Sequence, residues 1–358
     1  MKMAKTGKKI KLLILFGGQS TEHEISCLSA YSVLKNVDRR VFDVRVVGVT
    51  KNGDWQPVTD VPLEEIKDGR WVSRVECGSG MAPALECVAW CDAVFPVMHG
   101  IMAEDGTIQG FFALNRKPCA GPGVLASAVC MDKVYTKIVL EHAGIPQAKA
   151  VIVTRTEVEN NFDAVAAEVS EKLGYPCFVK PSNSGSSVGA FKVSEPAELE
   201  KCLRAAAEFD RKVLVEEYID AQEVECAVLG NENPVASTPG EIVSESEFYD
   251  YDDKYINGTS STRIPAAIPE EDRETVKKLA VKAFKALDCA GMARVDFFRE
   301  KKTGRILLNE VNTIPGFTDI SMYGKMLAYD GIPFKELITK LVALAIEDFE
   351  NNKRHLSR

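Results

Sequence analysis

The stretch RVDFFREKKTGRILLNEVNTIPG, residues 294–316, limits the possible folds more than any other part of the chain. Two apolar runs, VDFF and RILLNEVN, flank a charged turn near Lys302–Gly304 and read as paired, buried strands. Yet Asp296, Glu310 and Asn312 stand inside those runs, and Arg294 is two residues from Asp296. Alternate residues of a strand share a face, so Glu310 points with Asn312 and Arg294 with Asp296. Pairing through the turn would bring three oxygen-bearing side chains together. Burying such groups is costly unless they are paired or bind an ion. Two carboxylates and an amide suit a hard cation such as magnesium, which keeps waters and phosphates as its other ligands. A hairpin with one polar face in solvent fits the same residues.

The first third alternates strand and helix. KLLILFGG, FDVRVVGVT and DAVFPVMHG read as strands and TEHEISCLSAYSVLKNV as a helix, the pattern of a parallel sheet with helices on its faces. The first strand is not followed by GxGxxG, so a dinucleotide fingerprint is missing. The lysines before IKLLILFGG superficially mimic a signal peptide. The run is short, contains Lys11 and ends in Gly-Gly, which fits a first buried strand better. SAVCMDKVYTKIVLEHAGIP reads as one helix ended by Gly144 and Pro146 and opens a second unit. After it come the strand KAVIVT and a long helix to about Lys172. CFVKPSNSGSSVGAFKV reads as two strands joined by a Ser/Gly loop, and KVLVEEYI and EVECAVLG as further strands. Residues 244–263 are polar, rich in tyrosine and aperiodic, as functional loops often are. Val276 to Leu287 and Phe334 to Ala345 carry apolar residues at helical spacing and read as packing helices.

A chain of 358 residues has room for two or three domains. Its net charge of −8 excludes a general basic surface for nucleic acid, and no apolar run approaches the roughly 20 residues that span a bilayer. Ten cysteines without CxxC pairs, among them Cys130 and Cys177 in apolar settings, suit reduced core thiols in a cytoplasmic protein. The four histidines lack metal-ligand spacing.

Four more stretches carry chemistry. In FVKPSNSGSSVGA, Lys180 ends a strand and Ser182, Ser184, Ser186 and Ser187 surround Gly185. Small residues let backbone N–H groups approach an anion, and the lysine adds charge. The order is not that of a Walker A loop, and a flexible hairpin turn explains the loop taken alone. In VLVEEYIDAQEVE, Glu216, Glu217, Glu223 and Glu225 crowd a hinge, where a strand end can read an adenine edge and a carboxylate can accept from ribose hydroxyls. A solvated acidic face is the plainer reading of that stretch. In FGGQSTEHEISCLSA, Gly17 and Gly18 end a strand, Ser20 or Thr21 can cap the helix, and Glu22 and Glu24 suit its first turn. HGIMAEDGTIQG is a loop from a strand end to a helix.

Together and in this order, these stretches resemble the D-alanine–D-alanine ligases of the ATP-grasp superfamily. The likeness runs from Phe16 to Ser321 and includes the lysine of MDK and the tyrosine-rich YDYDDKY. It implies an α/β fold, α+β in the C-terminal part: a three-domain ATP-grasp ligase with an N-terminal parallel sheet and ATP between the central and C-terminal sheets. The expected units are 1–132, 133–219 and 220–358, the last with a lid loop, 244–263. The implied reaction joins two D-alanines with ATP, yielding the dipeptide, ADP and phosphate for peptidoglycan precursors. Asp296, Glu310 and Asn312 would bind two magnesium ions, with manganese as a substitute. Lys133 and Lys180 would contact phosphates, and Lys254 would close over the γ-phosphate. The strand from Glu216 through Glu217 to Ile219 would read adenine, and Glu223 the ribose. Glu22, linked to Ser186 and Tyr255, would hold the first substrate's ammonium. Arg294 and the Gly316 N–H would stabilise the oxyanion, and Ser321 would take the second substrate's carboxylate. The resemblance also implies a cytoplasmic homodimer formed through the N-terminal domain, with D-alanine and ATP as partners and neither nucleic acid nor membrane.

Ala103 and Ile101 depart from the family's usual glycine and proline in HGxxGEDG, so a slightly different turn is expected there. Tyr255 favours the dipeptide over a D-alanine–D-lactate product, because dipeptide-forming members carry tyrosine at that position. The intact set Asp296, Glu310, Asn312, Lys180 and Arg294 argues against a non-catalytic nucleotide-binding module. A dinucleotide-dependent oxidoreductase lacks its phosphate fingerprint.

Overall fold

The computed structural model of the chain describes residues 8–75, 78, 80–243 and 261–353. Lys254, Tyr255 and most of the expected lid lie outside the described residues.

Three sheets organise the chain. The first is built on β1 (Ile10–Gly17), the apolar run that follows the N-terminal lysines. Helix α1 (His23–Asn36) leads to β2 (Phe42–Val49) and the short β3 (Trp55–Pro57). Then come α2 (Leu63–Lys67), α3 (Leu85–Trp90), β4 (Ala93–Pro96) and α4 (Thr107–Leu114). The strand order is β3-β2-β1-β4, with β1 parallel to both β2 and β4. Every residue of β1 from Leu12 to Phe16 is fully buried, because both faces of the sheet are covered. Leu12, Ile14 and Phe16 enter one core, and Leu13 and Leu15 enter another with Val47 and Val49. The antiparallel edge strand β3 is an addition to the expected parallel pattern.

The stretch expected as one helix at MDK is two, α5 (Val124–Met131) and α6 (Lys133–His142). The break falls at Asp132, whose carboxylate accepts from the Val134 and Tyr135 N–H groups and caps the second helix. The helix expected up to Lys172 is also divided. After β5 (Ala150–Thr154), Thr154 and Glu157 form a capping box on α7 (Arg155–Asn160), and α8 (Phe162–Lys172) follows. Strands β6 (Cys177–Pro181) and β7 (Phe191–Val193), helix α9 (Leu199–Phe209) and β8 (Lys212–Glu217) complete an antiparallel sheet of order β5-β8-β6-β7. Cys177, Val179, Val213 and Val215 face the helices, which leaves Phe178, Lys180 and Glu216 for the other face.

The last sheet contains β9 (Ala221–Gly230), β10 (Val235–Ala236), β11 (Gly240–Val243), β12 (Ser261–Arg263), β13 (Gly291–Glu300) and β14 (Ile306–Asn312). Its order is β12-β11-β9-β13-β14, with β10 on β9. Helix α10 (Glu270–Ala286) packs on one face with α5 and α6. Helices α11 (Met322–Tyr329) and α12 (Phe334–Asn351) join this sheet to the first, in a core shared by Ala227, Met292, Tyr323 and Leu341 with Leu12 and Phe16.

Gly48 of β2 packs against Trp71, and both are sealed inside the first unit. A methyl group at Gly48 would lie 2.4 Å from the Trp71 ring, which is fully buried and has no room to withdraw. Gly48→Ala should therefore destabilise the protein by about 1–3 kcal/mol, the usual cost of overpacking. Chemical denaturation of variant and parent measures this, and an unchanged midpoint would contradict the packing described.

Candidate active site

The second and third sheets face each other across a cleft of about 1220 Å³, and the loops of the first unit close one end. Arg294 lies opposite Asn312 and Asp296 opposite Glu310, as the alternation of the two strands requires. A bulge at Asn309, where the register shifts, makes the arrangement possible. Ile306 and Leu308 enter the core on one side of it and Val311 on the other, so Glu310 and Asn312 turn to the cleft. Arg294 donates to both Asp296 oxygens, at 2.8 and 2.7 Å, and its Nε lies 3.2 Å from Glu225 on β9. Burial alone would lower the Arg294 pKa, but Asp296 and Glu225 outweigh it and hold the guanidinium charged. Asn312 Nδ2 donates to Asp296 at 2.9 Å.

Lys180 on β6 pairs with Glu216 on β8, and its Nζ is 3.5 Å from Asn309 Oδ1. Glu216 also receives Lys137, at 2.6 Å. Burial pushes the Glu216 carboxyl up, yet the two lysines overcome this and hold it at about 2. Lys133 occupies the first position of α6, and its Nζ donates to the Ser184 carbonyl at 2.5 Å. Burial lowers the Lys133 pKa, partly countered by Glu310. Asp132 ties the roots of these groups together: it accepts from Ser182 Oγ at 2.6 Å and pairs with Lys212.

Ser186 and Ser187 have φ of 49° and 60°, a left-handed conformation unusual for residues with side chains. That turn lets Ser186 Oγ donate to Glu22 Oε1 at 2.6 Å, across 164 residues of sequence. The Glu22 carboxylate is wedged between two glycines, since a Cβ at Gly100 would lie 2.9 Å, and one at Gly185 3.3 Å, from Glu22 Oε2. Glu22 itself occupies the cap position of α1, with no side-chain cap bond. The Ser20 hydroxyl accepts from the Glu22 N–H at 3.1 Å and donates to the His99 carbonyl at 2.9 Å, so neither Ser20 nor Thr21 caps the helix as expected.

The HGIMAEDG loop closes as a turn with left-handed backbone at Met102 and Gly106. Ala103 needs no such conformation and is buried, so the alanine is accommodated. His99 bridges two units, with Ser29 Oγ at 3.1 Å and the Ile314 carbonyl at 3.1 Å. Glu104, which sequence reasoning did not single out, accepts from the Gly100 N–H at 2.8 Å and the Ile314 N–H at 3.2 Å.

Gly316 and Ser321 line the same cleft. Ser321 Oγ accepts from the Thr318 N–H at 3.0 Å, and a Cβ at Gly316 would lie 2.7 Å from it. Glu217, Ile219 and Glu223 line the opposite end, where the Glu217 carboxylate accepts from the Lys149 N–H at 2.9 Å. Phe178 and Tyr218 stack beside them, with centroids 6.0 Å apart. Phe178 and Tyr218 were not singled out in the sequence, nor was Lys137 behind the cleft, and only the alternation of β6 could have placed Phe178 on the cleft face. Every expected site residue that lies within the described residues borders this one cleft.

Among the described residues no group of three or more His, Cys, Asp or Glu side chains could hold a metal by itself. The donor set nevertheless fits a hard divalent cation that takes phosphates and waters as its other ligands: Asp296 and Glu310 face each other and Asn312 adds an amide oxygen, so all three offer oxygen.

Two antiparallel sheets closing on a cleft lined with lysines and carboxylates define an ATP-grasp enzyme. The chain belongs to the D-ala D-ala ligase family: the model of that family's N-terminus matches residues 11–122 and that of its C-terminus residues 139–343. A D-alanine--D-alanine ligase of Acetivibrio thermocellus is 50% identical over 97% of this chain and 98% of its own length. One from Clostridium novyi is 52% identical over 95% and 98%. Among solved structures, the VanG D-Ala:D-Ser ligase from Enterococcus faecalis superposes with a TM-score of 0.83, at 37% identity over 94% of this chain and all of that one. The D-alanine-D-alanine ligase from Coxiella burnetii gives 0.81, at 33% identity over 96% of each chain.

Burial, reinforced by Glu22, raises the Glu104 carboxyl from 4.5 to about 8. The folded protein thus favours the protonated form. The resulting stability is fully present below 4.5 and is lost as pH rises through 8. Glu104→Gln removes the ionisation, so its stability relative to the parent should improve by a few kcal/mol between about pH 5 and about pH 8.5. Denaturant titrations across that range test this, and a difference independent of pH would refute the raised Glu104 pKa.

Proposed function

We propose that the protein joins two D-alanine molecules into D-alanyl-D-alanine, coupled to cleavage of ATP to ADP and phosphate, supplying peptidoglycan precursors. The observation that carries this reading is the convergence, in one cleft, of Lys133, Lys180 and Arg294 with the Glu22–Ser186 pair. Cations for a triphosphate stand beside a carboxylate that suits an ammonium group.

In this reading the chain is organised as 1–132, 133–219 and 220–358, and adenine sits against the strand Glu216–Ile219 with Glu223 on the ribose. Glu22 holds the ammonium of the first D-alanine, whose carboxylate oxygen attacks the γ-phosphorus and displaces ADP. Two anions must meet, so Lys133, Lys180 and Lys254 offset their charge. When bound, magnesium would neutralise phosphate charge, held by Asp296, Glu310 and Asn312. The neutral amine of the second D-alanine, its carboxylate at Ser321, attacks the acyl phosphate. Arg294 and the Gly316 N–H stabilise the tetrahedral oxyanion, where one donor is worth about 3–4 kcal/mol. Phosphate leaves as the peptide bond forms, and the amine's proton goes to solvent or phosphate. Closure of loop 244–263 would keep water from the acyl phosphate, with Tyr255 beside Ser186 favouring an amine over a hydroxyl nucleophile.

A cytoplasmic setting is supported by nine described cysteines, none in a disulfide, and no helix among the described residues is long and apolar enough to cross a membrane. A homodimer through the first unit is proposed on the family resemblance; Leu114 and Leu125, both highly exposed, lie on that unit.

Phosphate release with ATP, magnesium and D-alanine, L-alanine, D-serine or D-lactate tests the reading. D-Alanine should give phosphate and dipeptide together, and L-alanine neither. Release without dipeptide, or a preference for another acceptor, would overturn it. Glu310→Gln replaces an anionic ligand by a neutral amide and should retain the fold while losing at least about a hundredfold in turnover. Near-normal turnover of that variant at low magnesium would remove Glu310 from the metal site.

A further inference from the structure

Lys137 has no place in the reaction described, yet it is one of the two lysines on Glu216. It lies on α6, one turn after Lys133, behind the cleft rather than in it. Its Nζ bonds to Glu216 Oε1 at 2.6 Å and to the Ala148 carbonyl at 3.1 Å, while Lys180 takes Glu216 Oε2 from the cleft side. Glu216 is only 4% exposed. One buried carboxylate therefore joins a lysine that faces the nucleotide to a lysine that does not.

This linkage creates a conflict that Lys137 resolves. A triphosphate in the cleft needs the Lys180 ammonium, and to supply it Lys180 must loosen its hold on Glu216. A buried carboxylate stripped of its counter-ion is strongly unfavourable. With Lys137 behind it, Glu216 keeps one cation when Lys180 turns away. Without Lys137, Lys180 is the one lysine in direct contact with Glu216 among the described residues, and the carboxylate competes with the phosphates for it. We propose that Lys137 is a positioning residue, which keeps Glu216 compensated from behind so that Lys180 is available to an incoming nucleotide triphosphate. The inference rests on the reading of the cleft as the ATP site.

The test is a double-mutant cycle read by calorimetric binding of a non-hydrolysable ATP analogue with magnesium, and by KM for ATP and kcat. Lys137→Met should weaken analogue binding and raise KM by about ten- to a hundredfold, with kcat at saturating ATP within about threefold of the parent. Lys137→Arg, which keeps the charge, should recover affinity to within about threefold. In a Glu216→Gln background no carboxylate competes for Lys180, and the same Lys137→Met change should alter affinity by less than about twofold. A merely structural lysine would give the same loss in both backgrounds, and that result, or parent-like affinity in Lys137→Met, overturns the proposal. If Lys137→Met does not fold, Lys137→Gln keeps a donor for the Ala148 carbonyl without the charge and carries the same expectations. Failure of the parent itself to bind the analogue would instead refute the ATP site.

Discussion

Charge placed on buried strands has to be compensated, and the cleft is arranged around that requirement. Arg294 is held by Asp296 and Glu225, Lys180 by Glu216, and Lys212 by Asp132. Such pairs contribute little net stability, because desolvation offsets most of their attraction. Their value in this protein lies in what they hold ready. Arg294 and Lys180, which face the cleft, are kept ionised against burial by Asp296, Glu225 and Glu216.

The same requirement reaches into the first unit. Its parallel sheet is an apolar platform, buried on both faces, and its contribution to the site comes from loops at one end. Glu22 reaches Ser186 because glycines at 100 and 185 leave space around its carboxylate. His99 and Glu104 bond to the backbone of Ile314, so the loop after β14 is fixed by the unit farthest from it in sequence. A site assembled from separated segments in this way excludes solvent only when all of them are in place, which suits chemistry that water would short-circuit.

Much of this was legible in the sequence. The pairing of β13 with β14 followed from two apolar runs and a charged turn, and the facing of Asp296, Glu310 and Asn312 followed from alternation. The parallel strands of the first unit were equally plain. Less legible were features decided by side chains distant in sequence. Asp132 breaks a continuous helical pattern because it can cap α6 and pair with Lys212, 80 residues away. Ser20 looked like a helix cap but is drawn to the His99 carbonyl. The bulge at Asn309, which turns Glu310 toward the cleft, has no local signature. Glu104 and Lys137 matter through partners that only the fold supplies.

The central claim is that a carboxylate oxygen of one D-alanine passes to phosphate on the way to the peptide. D-Alanine labelled with oxygen-18 in both carboxylate oxygens tests it directly. If an acyl phosphate forms, one labelled oxygen bridges carbon and phosphorus and leaves with phosphate when the second amine attacks. Mass spectrometry should then find one label in the inorganic phosphate for each peptide bond formed. Unlabelled phosphate accompanying full dipeptide synthesis would contradict phosphoryl transfer to the carboxylate, and with it the account of the cleft.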